Sequence, residues 1–147
     1  MIADLKILMV EDLSTDAELI KREIRKFGIK FVEVIVDTRE AYITAIWDFA
    51  PDIILSDYSL PLFNGMQALL IREELVPTIP FILVTGTLNE ETAVEVMKAG
   101  ADDYVIKEHI GRIGTAIKTA LEKRDILRSK KESEEKEEKE ESKCILC

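Results

Sequence analysis

The sequence predicts an α/β domain: a parallel sheet with helices on both faces. Three observations predict it. Short, mainly apolar runs recur along the chain, at Leu5–Val10, Phe31–Val36, Ile53-Ile54-Leu55 and Phe81–Val84, and Asp103–Ile106 reads as a fifth strand. Segments with apolar residues at helical spacing separate them. Capping and turn residues fall at the junctions. Strands that alternate with helices in this way make right-handed crossovers and a covered parallel sheet.

The first strand, Leu5-Lys6-Ile7-Leu8-Met9-Val10, ends in Glu11-Asp12. Thr15 to Glu18 fits a capping box, and Ala17, Leu19, Ile20, Ile24 and Phe27 then form a helical stripe that Gly28 is placed to stop. The second strand, Phe31–Val36, is rich in β-branched residues, but its alternation favours an edge position. Asp37-Thr38 opens a second helix carrying Ala41, Ile43, Ala45, Ile46 and Phe49, with Trp47 at its surface or packed on neighbours. The third strand lies between Pro51-Asp52 and Pro61 and delivers Asp57 at its C-terminal end. Asn64-Gly65 is a turn signal, and a third helix runs through Ala68, Leu69, Ile71 and Leu75. The fourth strand ends in Thr85-Gly86. Asn89 caps a fourth helix, with Glu90 and Glu91 at the positive end of its dipole and Ala99-Gly100 at its close. The fifth strand ends in Lys107, and a last helix carries Ile110, Ile113, Ile117 and Leu121 on one stripe.

At 147 residues the chain is one domain by length, with room for a core. Its formal net charge of -9 argues against direct nucleic-acid binding, which needs Lys and Arg on a common face, and against docking on anionic membranes. No apolar run reaches the roughly 20 residues of a spanning helix. No basic segment followed by an apolar one opens the chain, so a cytoplasmic protein is expected. Cys144 and Cys147 both lie in a polar tail, so no disulfide framework is expected.

In open parallel sheets, ligands bind outside the carboxyl ends of the strands. Strand one ends there in Glu11-Asp12, strand three in Asp57, strand four in Thr85 and strand five in Lys107. Carboxylates brought together repel unless a cation is present. A hard divalent ion such as Mg²⁺ suits them and keeps positions open for water and a phosphate. A lysine and a hydroxyl add a positive charge and a donor for anionic oxygens. Such a set is suited to placing a phosphoryl group on a carboxylate.

In these motifs the chain resembles the receiver domains of two-component response regulators. The likeness covers about residues 4 to 127. It rests on Glu11-Asp12, the Ser-Asp-Tyr-Ser-Leu-Pro-Leu-Phe-Asn-Gly segment around Asp57, Thr85-Gly86, and Tyr104 three residues before Lys107. The resemblance implies a flavodoxin-like (βα)5 fold with strand order 2-1-3-4-5. It implies that Asp57 accepts a phosphoryl group from the phosphohistidine of a sensor histidine kinase or phosphotransfer protein. It implies Mg²⁺ on Asp12, Asp57 and the Ser59 backbone carbonyl, with Glu11 reaching it through water. Lys107 then pairs with Asp57 and later with the phosphoryl oxygens. Thr85 moves to the phosphoryl group, and Tyr104 turns inward, changing the surface of helix four, strand five and helix five. A downstream protein target reads that surface, and the chain is a monomer or a weak phosphorylation-dependent dimer. The resemblance implies a signalling switch, with self-phosphorylation from a donor and self-dephosphorylation, rather than an enzyme.

The chain departs from the family pattern after Lys107, where many members have proline with a cis bond. Here Glu108 follows, and a cis bond before a non-proline costs about 2.5–4 kcal/mol, so none is expected. Ser59 and Thr87 stand at the two positions that often tune phosphoryl lifetime in the family, and neither is a general base. Singly, each site residue has a plainer reading: caps for the acids, a solvated charge for Lys107, core packing for Tyr104. Their joint placement at the strand ends favours the site. His109 reads as a loop residue, neither ligand nor base.

The composition changes near residue 129, so the receiver body is expected over 1–128 and a charged, frayed-helical or disordered tail over 129–147. Ser129 to Lys143 holds no apolar residue, and Glu132–Lys136-type pairs support a helix only weakly. Cys144-Ile145-Leu146-Cys147 resembles a prenylation box by chance. The competing reading is a docking module with the receiver fold and no phosphorylation. A haloacid-dehalogenase-like hydrolase is disfavoured because Ser59 stands where those enzymes carry a second aspartate.

Overall fold

Strand β1 (Leu5–Val10) lies inside the sheet, between two neighbouring strands, with apolar residues on both of its faces. Ile7 and Met9 point to one face of the sheet, Leu8 and Val10 to the other. The same division holds for β3 (Ile53–Ser56) and β4 (Phe81–Thr85), every residue of which is buried. Unbroken apolar runs are what a sheet covered on both sides requires. The computed structural model describes residues 4–86 and 89–146, with side chains through residue 130.

All four strand pairings are parallel, and the order is β2-β1-β3-β4-β5. Strand β2 (Phe31–Val36) stands at one edge, as its alternation predicts, and β5 (Asp103–Ile106) at the other. Helices α1 (Ser14–Phe27) and α5 (Ile113–Leu146) cover one face, sealing a core of Ile20, Ile24, Ile113 and Ile117 against the sheet. Helices α2 (Arg39–Asp48), α3 (Gly65–Leu75) and α4 (Glu90–Lys98) cover the other, around Tyr42, Leu69, Phe81 and Val96. The Tyr42 hydroxyl donates to the Ala68 carbonyl at 2.8 Å and ties α2 to α3.

The helix starts obey the sequence signals with one exception. Thr38 and Asn89 cap α2 and α4 through their side chains. Asn64 and Gln67 form a full capping box on α3, more than the turn that Asn64-Gly65 suggests. The Thr15–Glu18 box does not form: α1 already begins at Ser14, and its N-cap is Leu13, whose own side chain makes no capping bond. Glu11 takes up that duty instead, its carboxylate accepting from the Leu13 amide at 3.1 Å. Gly28 ends α1 in the left-handed region (φ 99°), where a Cβ is costly.

After β5 the chain makes a 3-10 turn over Lys107–Arg112 before α5 begins, so Ile110 packs from that turn and not from the helix stripe. Among the described residues there is no cis peptide, as expected with Glu108 after the lysine. The backbone of α5 is continuous through Leu146, past the expected boundary at 128. The tail's ion pairs and cysteine side chains lie outside the described residues.

Candidate functional site: an acidic pocket at the strand ends

Two backbone bonds bring the acids together. The Asp57 amide donates to the Val10 carbonyl at 2.9 Å, and the Glu11 amide to the Val36 carbonyl at 3.0 Å. With β1 between β2 and β3, this seats Glu11 and Asp12 beside Asp57. Carboxylate oxygens of Glu11, Asp12 and Asp57 all lie within 4.8 Å of one another. Glu11 and Asp57 are nearly buried, while Asp12 is exposed at the mouth. Three hard oxygen donors at this spacing, open on one side to water, fit a divalent cation of the Mg²⁺ type.

Lys107 reaches into this group from the end of β5. Its ammonium donates to Glu11 Oε2 at 2.9 Å, Asp16 Oδ2 at 2.6 Å and Asp57 Oδ2 at 3.2 Å. The other Asp57 oxygen, Oδ1, accepts from the Tyr58 amide at 2.7 Å. Burial pushes the Glu11 carboxyl above its ordinary value, and the Asp57 charge adds to this against the opposing hydrogen bonds from Lys107 and Leu13. For Lys107, burial works to lower the pKa. The hydrogen bonds to Asp16 and Glu11, with the charges of Glu11 and Asp57, outweigh it and raise the pKa above the ordinary lysine value. The lysine is therefore a fixed cation, and the carboxylates outnumber it.

Thr85 is buried at the end of β4, in register with Ile106, the residue before Lys107. Ser59 is exposed on the loop after β3. Tyr104 is half-buried on β5 and packs on the α2–α4 side of the sheet. Thr87 lies outside the described residues. Of the predicted set, Glu11, Asp12, Asp57 and Lys107 converge directly, with Thr85 on the neighbouring strand end.

Two participants escaped the sequence reading. Asp16 forms the shortest of the three lysine bonds; its signal is an acid in the first turn of the helix that starts at this same edge. Arg112 pairs through both terminal nitrogens with Asp103, at 3.0 and 3.1 Å, and also donates to the Tyr104 carbonyl. It thereby fastens the end of the 3-10 turn to the start of β5.

The family model for the response regulator receiver domain matches residues 7–118. The chain belongs to the response regulator receiver domain family. Receiver regions of larger regulators are among its relatives. It is 32% identical over 122 residues to the regulatory protein LuxO of Vibrio cholerae, covering 82% of this chain and 26% of that protein. It is 34% identical over 103 residues to the phosphate regulon transcriptional regulatory protein PhoB of Pseudomonas aeruginosa, covering 69% and 44%. The chain thus spans less than half the length of these relatives. A CheY-like receiver domain protein from Methanospirillum hungatei superposes with a TM-score of 0.72 at 26% identity, over 84% of this chain and 98% of that one. The receiver fold is the flavodoxin-like arrangement with order 2-1-3-4-5. A receiver is the signalling module of a two-component system, and the acidic pocket described above is where its acids gather. None of the described helices is long and apolar enough to cross a membrane.

Proposed function

We propose that this receiver is a phosphoryl-accepting switch in a two-component phosphorelay, with Asp57 as the acceptor. The observation that carries the reading is Asp57 itself: a nearly buried carboxylate whose two oxygens face the Tyr58 amide and the Lys107 ammonium, beside two further acids. A carboxylate oxygen attacks the phosphorus of a phosphohistidine. The new O–P bond forms as the P–N bond breaks, and the leaving imidazole takes the electron pair and a proton.

Glu11, Asp12 and Asp57, with the Ser59 carbonyl, would hold Mg²⁺. When bound, that ion neutralises charge on the transferring oxygens. Lys107 supplies the second positive charge and keeps it at all physiological pH, since its pKa is raised. The Thr85 hydroxyl turns to a phosphoryl oxygen, and Tyr104 follows into the space it leaves. Half-burial of Tyr104 and exposure of Val94 and Met97 on α4 support a surface there that changes with the state of Asp57. Such a change is a population shift driven by one local charge. The donor is a sensor kinase or phosphotransfer protein, and the reader is a protein target of the α4-β5-α5 face. Residues 1–128 form the switch body and 129–147 its tail, acting in the cytoplasm as a monomer or a weak phosphorylation-dependent dimer.

Intact-protein mass after exposure to acetyl phosphate with Mg²⁺ tests this. The wild type should gain one phosphoryl group, and Asp57→Asn, or wild type without Mg²⁺, should gain none. Beryllofluoride should bind the wild type under the same conditions. Absence of both the adduct and beryllofluoride binding would sink the reading and favour a phosphorylation-independent docking module.

A further inference from the structure

An ammonium group has three hydrogens to donate, and those of Lys107 are all engaged, on Glu11, Asp16 and Asp57. Two of these acceptors belong to the carboxylate trio whose oxygens lie within 4.8 Å of one another. Asp16 does not belong to the trio, yet its bond is the shortest, at 2.6 Å against 2.9 and 3.2 Å. It comes from the first turn of α1, to the side of the strand ends. Lys107 therefore stands between a set of acids suited to a cation and one acid outside that set. An ammonium and a divalent ion compete for the same oxygens and repel each other across a few ångströms. For the trio to accept a cation, Lys107 has to loosen its hold on Glu11 and Asp57. Among the described residues, Asp16 is the group that can keep it when it does.

We propose that Asp16 is a positioning residue that holds the Lys107 ammonium at the flank of the pocket, leaving Glu11, Asp12 and Asp57 able to take a divalent cation. The inference rests on the reading of that trio as a cation site. Without Asp16 the ammonium settles on Glu11 and Asp57 and opposes the metal directly. A plainer effect has to be separated from this one: Asp16 is a negative charge near the trio and draws a cation by its field alone. The field effect does not need Lys107, whereas the positioning role vanishes without it.

A double-mutant cycle separates the two. Mg²⁺ dissociation constants are measured by titration calorimetry on the full chain for wild type, Asp16→Asn, Lys107→Met and the double variant. Asp16→Asn should weaken Mg²⁺ binding roughly threefold to tenfold when Lys107 is present, and leave it unchanged in the Lys107→Met background. Asp16→Glu, which keeps the charge, should recover most of the wild-type affinity. If Lys107→Met does not fold, Lys107→Gln serves as the background. An equal loss in both backgrounds, or no loss in either, overturns the proposal. Failure of wild type and Lys107→Met alike to take up Mg²⁺ would overturn the cation-site reading first, and it would be visible before Asp16 is altered.

Discussion

A Cβ built on Gly65 would stand 2.6 Å from the Asp57 carbonyl oxygen and 2.9 Å from the Tyr58 Cα. The Gly65 amide also donates to the Tyr58 carbonyl at 2.9 Å. The glycine is therefore a seat for the acceptor loop: α3 begins so close to Asp57 that a side chain at its first position has nowhere to go. Leu83 Cδ1, also at 2.9 Å, can turn aside, but the other two obstacles are backbone and do not yield by a rotamer change. Gly65→Ala should cost about 1–3 kcal/mol by overpacking, read as a lowered denaturant midpoint. It should also slow uptake of a phosphoryl group from acetyl phosphate, because the strain falls on the residue that accepts it. Unchanged stability and uptake would mean that the loop relaxes freely and that Gly65 does not position Asp57. The sequence shows Asn64-Gly65 as a turn signal, but the close approach behind it is a tertiary contact that no local pattern carries. The same holds for Asp16, whose partner Lys107 lies 91 positions further along the chain.

The pairing of α2 with α3 shows how an element is held by a single polar contact. Tyr42 is fully buried, and its hydroxyl donates to the Ala68 carbonyl at 2.8 Å. Burial drives its phenol well above the ordinary value of 10.0, against a small opposing effect of Arg72. The folded state thus binds this proton more tightly than the unfolded chain does. That contribution to stability is fully present below about pH 10 and is lost as pH rises further, since only the unfolded phenol ionises there. Tyr42→Phe should cost roughly 0.5–1.5 kcal/mol at pH 7, the usual net worth of one hydrogen bond. The gap between wild type and variant should narrow between pH 10 and 11. Urea melts of the two proteins at pH 7, 10 and 11 check this, and a constant gap would show that the phenol is not held against ionisation. At this scale the sequence was readable wherever a strand was apolar on both faces or a helix began on Thr38 or Asn89, while at Asn64 it showed a turn and not the capping box. It misled at α1, where Thr15 and Glu18 match a capping box but Glu11 caps the Leu13 amide from the preceding strand end. It was silent on the 3-10 turn after Lys107, because Arg112 fixes that turn through Asp103 and the Tyr104 carbonyl.

At the scale of the whole molecule, the site exists only when the sheet is complete. Glu11 and Asp12 follow β1, Asp57 follows β3 and Lys107 follows β5, so no pair of adjacent elements in the chain builds the pocket alone. This is why the fold class could be read from alternation, and the candidate site from the polar residues at four strand ends, once a parallel sheet was assumed. It also couples metal binding to folding. A cation held by Glu11, Asp12 and Asp57 binds the folded state and finds no assembled site in the unfolded chain, so it stabilises the fold by mass action. At Mg²⁺ one hundredfold above its dissociation constant the gain is about 2.7 kcal/mol. Saturating Mg²⁺ should therefore raise the thermal midpoint of the wild type, and EDTA should reverse the rise. In Asp12→Asn, which removes the exposed acid at the mouth of the pocket, the increment should largely disappear. The midpoint without metal should stay equal or rise, because one of several mutually repelling charges is gone. Scanning calorimetry with Mg²⁺ and with EDTA, on both proteins, reads all four states. A midpoint that ignores Mg²⁺ in the wild type, or an increment that survives in Asp12→Asn, would detach the metal from these acids.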